Sequence, residues 1–205
     1  MKNEEKTNIF KINRDWTCNA CVGRNGGQLS FWDMGRGYFK AADVLSDYVI
    51  NNGRGADLLI YSIFFNYRHG MELYLKGYLT EIRNYNDKRA DGFLNHELPS
   101  KWKEIRKFVI KNKWNYPDES GDKLVDIVDD IIAVLSKHDP DSFHFRYHIS
   151  KSGEINQDKL TLINIEELKL EMDKINNIFN FWWFMFGRLE EELRQKINDS
   201  FYYNL

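Results

Sequence analysis

The sequence predicts a mainly α-helical domain, a bundle of four to five helices with a β-hairpin inserted before a long last helix. Two observations predict the bundle: apolar residues recur at steps of three and four over most of the chain, and only 3 of 205 residues are proline. A third observation, a short stretch with period two near residue 145, predicts the hairpin. A chain of this length is typical of one domain, so we expect residues 1–205 to share one core.

The helical stripes locate five helices, after an irregular N-terminal arm over residues 1–35. The arm is predicted from its lack of periodicity and from its glycines, several of which fall between Gly23 and Gly37. The helices are expected over residues 38–50, 57–83, 99–111, 124–137 and 165–197. Short connections between such helices favour an up-and-down bundle.

The segment 143–163 is the predicted hairpin insertion. Phe143, Phe145 and Tyr147 alternate with polar residues, and the turn residues 151–153 follow. The last helix then carries aromatic residues that cannot all face one core: Phe181, Trp182, Trp183, Phe184 and Phe186. This excess indicates either a homodimer contact or cover by the hairpin or the arm.

Composition excludes several classes of protein. The 29 Lys and Arg nearly balance the 31 Asp and Glu, so no global positive field attracts nucleic acid, and any RNA contact must come from a local patch. The most apolar window, FNFWWFMF, has eight residues, too few to span a membrane. With no secretory signal and only two cysteines, the protein is expected to be cytoplasmic, without membrane contact.

The segment YRHGMELYLK, residues 67–76, is the first candidate site. On one helix, Arg68, Glu72 and Lys76 lie at i, i+4 and i+8, and His69 lies three residues before Glu72. Such a set can orient a histidine for proton transfer and hold a phosphate. An exposed row of salt bridges explains the same spacing.

His96 is the second candidate, at the entrance to the third helix in NHELPSKW. A histidine at this place can act as a catalytic base beside a carboxylate such as Glu97, or it can cap the helix.

The predicted strand supplies the third candidate, a cationic face formed by His144, Arg146 and His148. Alternation along a strand puts the three on one side, where they suit phosphate or RNA. An amphipathic hairpin with a solvated polar face is the alternative. The pair Cys18 and Cys21 lacks a second CxxC, and no phosphate-binding loop, GxSxG or HExxH occurs, so we expect neither a metal nor a cofactor.

Together, the segments CVGRNGG, DLLIYSIFFNYRHGMELYLKGYL, NHELPSKW and DPDSFHFRYH resemble bacterial proteins related to the HEPN superfamily, over roughly residues 18–150. The resemblance implies a four- to five-helix bundle, often dimeric, found in toxin–antitoxin and anti-phage systems. Its active members are metal-independent RNases in which an Arg is followed four to six residues later by a His. Arg89 and His96 have that spacing, although Ala90 replaces the polar residue that usually follows the Arg.

Two functions therefore stand open. The first is a metal-independent endoribonuclease with a catalytic set of Arg68, His69, Glu72 and His96 and a phosphate-binding set of Lys76, His144, Arg146 and His148. The second is a non-catalytic helical module that binds a nucleotide, RNA or a partner protein. For the endoribonuclease we expect a homodimer and a neutralising partner protein. A third alternative is that the charged residues have a purely structural role.

Overall fold

The computed structural model describes residues 14–22, 30–86, 95–150, 152–156, 160 and 162–202. Within these residues the chain forms five α-helices: α1 (Phe31–Asn52), α2 (Ala56–Tyr85), α3 (Leu98–Lys111), α4 (Leu124–His138) and α5 (Ile165–Tyr202). A single short 3-10 turn at Trp16–Cys18 precedes them in the described part. The predicted helical bundle is confirmed.

α1 begins earlier than the periodicity predicts. Ser30 Oγ accepts the Asp33 N–H at 3.1 Å, and Asp33 in turn accepts the Ser30 N–H, which is a capping box. Residues 31–35 of the predicted irregular arm are therefore helical, because two of the free N–H groups of the first turn are satisfied there. Gly53, with φ +61°, ends the helix in the left-handed conformation that glycine adopts most easily.

α2 is the central helix, in contact with α1, α3 and α5. It approaches α1 closely at Gly70, where an added Cβ would lie 2.7 Å from the Phe39 ring and 3.1 Å from the Gly35 carbonyl oxygen. Every residue from Gly70 to Leu79 is buried, since α1, α3 and α5 all pack on α2. The charged side chains of Arg68, Glu72 and Lys76 are thus enclosed by the bundle, whereas an amphipathic surface helix would expose its polar face.

The aromatic residues of α5 are divided between the core and the surface. Trp182 is fully buried, stacks on Trp102 and donates from Nε1 to the Trp114 carbonyl oxygen at 3.1 Å. Trp183 is half-buried against Trp32, whereas Phe184 is 61% exposed. The bundle therefore covers most of this aromatic run, and Phe184 faces solvent.

The predicted β-hairpin is wrong: no strand occurs among the described residues of 143–163. Phe143 O accepts the N–H groups of Arg146 and Tyr147, which makes a tight turn in which Phe145 stacks on Phe64 with ring centres 3.7 Å apart. A single antiparallel bridge, Ile149 to Ile155, is all that resembles a hairpin there. His144, Arg146 and His148 consequently do not share one face of a strand.

None of the helices in the described part of the chain is long and apolar enough to cross a bilayer.

Candidate functional site

The buried carboxylate of Glu72 is the centre of a charged cluster inside the bundle. Its side chain has no exposed surface. Glu72 Oε2 accepts a hydrogen bond from Arg68 Nη1 at 3.0 Å, and Glu72 Oε1 forms an ion pair with Lys76 Nζ at 2.7 Å. Burial on its own raises the pKa of Glu72, but the hydrogen bond from Lys76 and the charges of Lys76, His96 and Arg68 outweigh it and hold that pKa below its ordinary value. Glu72 is therefore ionised at neutral pH.

Arg68 is also fully buried, and its guanidinium ties three segments together. Nη2 donates to the carbonyl oxygens of His96 at 2.7 Å and Pro140 at 3.4 Å, and Nε donates to that of Asp139 at 3.2 Å. Burial lowers the pKa of Arg68, opposed by Asp139 and Glu72. With no exposed surface, Arg68 positions the loops before α3 and after α4 and does not itself meet a phosphate.

His96 joins the cluster from the segment before α3. Its Nδ1 lies 3.0 Å from Glu72 Oε1 and 3.2 Å from Oε2, while about half of its side chain is exposed. The N-cap residue of α3 is Glu97, without a side-chain cap, so the capping alternative for His96 is wrong. When Nδ1 carries the proton that faces Glu72, Nε2 is left directed outward with a free lone pair.

His69 approaches the same carboxylate from α2. Its Nδ1 lies 4.0 Å from Glu72 Oε2, and 21% of its side chain is exposed. The ring stacks on Phe65 and meets the edge of Tyr38. Burial lowers the pKa of His69 despite the opposing charge of Glu72, so the imidazole is neutral at pH 7.

Lys101 also belongs to this cluster, although the sequence pattern does not identify it as a site residue. Its Nζ donates to the backbone oxygens of Asn95 and Glu97 and to Asn95 Oδ1, which fixes the turn that presents His96. Burial lowers the pKa of Lys101 to about 8. A signal was present, since Lys101 falls on the apolar stripe of α3 between Leu98 and Trp102, where a charge requires partners.

The four predicted phosphate-binding residues do not form one set. Lys76 lies in the Glu72 cluster. Exposed Arg146 lies over the rings of Phe65 and Tyr147, each 5.5 Å away, and Phe65 is also the ring on which His69 stacks. His144 lies instead beside Asp139 and Asp141. His148 is exposed, and no contact of the described residues brings its ring to the cluster. Arg89, of the predicted Arg–His pair, falls outside the described residues.

Cys18 and Cys21 are both exposed free thiols near the N-terminus of the described chain. Asp15 is 3.6 Å from Cys18 Sγ and belongs to the local turn rather than to the cluster.

The cluster thus brings together the four residues predicted as catalytic. The imidazoles of His69 and His96 are partly exposed, and the ion pair of Arg68 with Glu72 is buried. No protein-family model, curated protein or solved structure matches the chain.

Proposed function

We propose that the protein is a metal-independent endoribonuclease with His69 and His96 as its catalytic residues. Glu72 orients His96 by a hydrogen bond, and the rings of Phe65 and Tyr38 position His69. One observation carries the proposal: the Nδ1 atoms of two partly exposed histidines both lie within 4.0 Å of a single buried carboxylate oxygen, Glu72 Oε2. Two imidazoles beside one carboxylate are suited to proton transfer near neutral pH, since the ordinary pKa of a histidine side chain lies in that range.

The reaction we propose is internal transesterification of RNA. A base removes the proton of a ribose 2′-hydroxyl, the 2′-oxygen attacks the adjacent phosphorus, and an acid protonates the departing 5′-oxygen, leaving a 2′,3′-cyclic phosphate and a 5′-hydroxyl. His69, neutral because burial lowers its pKa, is suited to be the base. His96 in its protonated form donates through Nδ1 to Glu72 and through Nε2 to the leaving oxygen.

The remaining cations have different places in this proposal. Arg68 and Lys76 are buried against Glu72 and set the position and charge of the carboxylate. Arg68 is thus a positioning residue here, in place of the phosphate-holding role that the sequence suggested. Arg146 is exposed, lies over the Phe65 ring that His69 also contacts, and is the cation that supports binding of an RNA phosphate.

Incubation of the purified protein with total RNA in EDTA tests the proposal. His69→Ala and His96→Ala are each expected to lower the cleavage rate by about 100-fold or more, because general acid–base catalysis contributes about 10²–10⁴-fold. His138→Gln, in the last residue of α4, which is not among the residues that contact Glu72, is the matched control and is expected to cut at the wild-type rate. Equal cutting by all four proteins, folded as judged by melting, would eliminate the proposed site.

The second candidate function is binding of single-stranded RNA or a nucleotide without turnover. It is favoured by the surface formed by Phe65, Tyr147 and Arg146, in which a guanidinium covers aromatic rings and leaves Tyr147 about half exposed. Fluorescence anisotropy with labelled RNA separates the two functions. Binding without product, weakened by Arg146→Ala and unaffected by His96→Ala, would support the binding module.

We extend the proposal to a wider setting on the strength of the quoted HEPN-like segments. The protein is a cytoplasmic, homodimeric effector of phage defence or of a toxin–antitoxin system, restrained by a partner protein. Exposed Phe184 on α5 supports the dimer, since large exposed aromatic side chains are often interface residues. Sedimentation equilibrium of wild type and Phe184→Ser tests it, and a monomeric wild-type protein would contradict it.

A further inference from the structure

The loop that follows α4 carries three potential metal ligands in six residues. Asp139, Asp141 and His144 each offer one ligand atom, and these atoms all lie within 4.8 Å of one another. Ser142, with φ +61°, turns the chain so that His144 comes back over Asp139. The spacing of these three residues matches no common metal-binding motif, so the sequence does not predict this site.

The separations within the loop are those of ligands that share one ion. His144 Nδ1 lies 3.6 Å from Asp139 Oδ1 and 3.5 Å from Asp141 Oδ1. It is a buried atom, and it makes no hydrogen bond to either oxygen or to any other described residue. Two N or O ligands placed at about 2.0–2.2 Å from a tetrahedral Zn²⁺ are about 3.3–3.6 Å apart.

The buried carboxylate of Asp139 is a second, independent indication that a cation binds to this loop. Its side chain has no exposed surface, and among the described residues its Oδ2 has no hydrogen-bond partner. The nearest cation is Arg68, with Nε 3.6 Å from Oδ2, and that guanidinium is already bound to Glu72. Asp139 Oδ1 accepts the His144 N–H at 2.9 Å, which holds this oxygen beside the His144 side chain. A buried carboxylate so weakly compensated is costly unless a further positive charge binds it.

We propose that Asp139, Asp141 and His144 bind one divalent transition-metal ion, with Zn²⁺ the best match. The imidazole ligand disfavours Mg²⁺ and Ca²⁺, and the carboxylates disfavour Cu(I). Asp141 is 65% and His144 30% exposed, so the ion reaches the site from solvent and keeps a position for water.

This ion lies outside the proposed catalytic centre and takes no part in its chemistry. The carbonyl oxygens of Asp139 and Pro140 accept hydrogen bonds from Arg68, so an ion bound to this loop holds the segment to which Arg68 is anchored. It is a structural metal for the loop, and the inference does not depend on ribonuclease activity.

Isothermal titration calorimetry with ZnCl₂ tests the inference. The full chain is used in a Cys18→Ser, Cys21→Ser background, because exposed thiolates are zinc ligands and would add a second binding event to the titration. The protein is stripped with EDTA and desalted before titration. One equivalent of Zn²⁺ is expected to bind, and the melting temperature is expected to rise with added Zn²⁺.

Variants then locate the ion. His144→Ala and Asp141→Asn are expected to weaken binding by at least about 100-fold, since even indirect partners of a metal contribute 10–100-fold. His148→Gln, an exposed histidine four residues away, is the matched control and keeps the parent affinity. Asp139 is not substituted because it is buried against Arg68. No binding to the folded parent, or equal binding by parent and variants, overturns the inference, and neither result bears on RNA cleavage.

Discussion

Replacing Arg68 by methionine tests whether the buried guanidinium holds the site together. Methionine keeps most of the length of the side chain and removes its charge and donors. The variant loses the 3.0 Å bond to Glu72 and three bonds to the carbonyl oxygens of His96, Asp139 and Pro140. Of these acceptors, the Glu72 carboxylate and the Asp139 carbonyl belong to fully buried residues, so each loses a partner where water does not readily replace it.

The expected loss follows from the burial of this network. Arg68 and Glu72 both have no exposed side-chain surface, and removing one member of such a pair costs about 3–5 kcal/mol. Glu72 keeps Lys76 and His96, which limits the loss, whereas fully buried Asp139 loses the guanidinium 3.6 Å from its Oδ2. We therefore expect Arg68→Met to lower the free energy of unfolding by about 3–5 kcal/mol.

Urea unfolding of Arg68→Met beside Arg106→Met measures this loss against a matched surface pair. Arg106 Nε donates to Asp129 at 2.9 Å, but both side chains are more than a third exposed, so its removal is expected to cost about 0–1 kcal/mol. Equal slopes against urea concentration are needed for the comparison. The account of Arg68 as a tether fails if the two variants unfold at the same urea concentration.

Two further predictions concern stability. Gly70→Ala is expected to lower the free energy of unfolding by about 1–3 kcal/mol, since the new Cβ meets the buried Phe39 ring. Gly187→Ala, where the added Cβ has open space, is the control and is expected to raise the free energy of unfolding by up to about 1 kcal/mol. Thermal melts in which Gly70→Ala is as stable as Gly187→Ala would contradict the close contact between α1 and α2. Burial lowers the pKa of Lys101 to about 8 from an unfolded value of 10.5, so between these values the unfolded chain binds more protons. The penalty for burying the charged amine is complete below pH 8 and is relieved as pH rises. The free energy of unfolding of wild type, measured relative to that of Lys101→Met, is therefore expected to increase by about 2 kcal/mol from pH 8 to pH 10. A difference that does not change with pH would show that Lys101 keeps an ordinary pKa.

The sequence predicted the helices because burial on one face leaves a periodic record. The boundaries of α3 and α4 lie within a residue of those predicted, since Pro99 and the stripe from Leu124 mark them. α1 was placed too late because its first turn depends on the capping box of Ser30 and Asp33, a local polar signal, and only weakly on apolar spacing.

The hairpin was predicted wrongly for a physical reason. Alternation of aromatic and polar residues over only five positions fits a strand, but it fits equally a tight turn that buries one ring. Phe145 is 4% exposed against Phe64, and this tertiary contact decided the conformation of the segment. The local sequence pattern does not show that Phe64 packs against Phe145.

The candidate site was predicted only along α2. Spacing placed Arg68, His69 and Glu72 on one stripe, but it could not show that the stripe is buried, since the same spacing is common on exposed helices. The meeting of Glu72 with His96, 24 residues away in sequence, and of Arg68 with Asp139, 71 residues away, follows from helix packing. Lys101 was missed because its partners are backbone oxygens, which have no sequence signature.

The central claim is that His96, oriented by Glu72, takes part in cleaving RNA, and one measurement tests it most directly. Wild type and His96→Ala are incubated in EDTA with an end-labelled single-stranded RNA, after equal melting temperatures have been established. The account predicts cleavage by wild type to products ending in a 2′,3′-cyclic phosphate and a rate about 100-fold or more lower for His96→Ala. Intact RNA with wild type, or cleavage by His96→Ala at the wild-type rate, would contradict it.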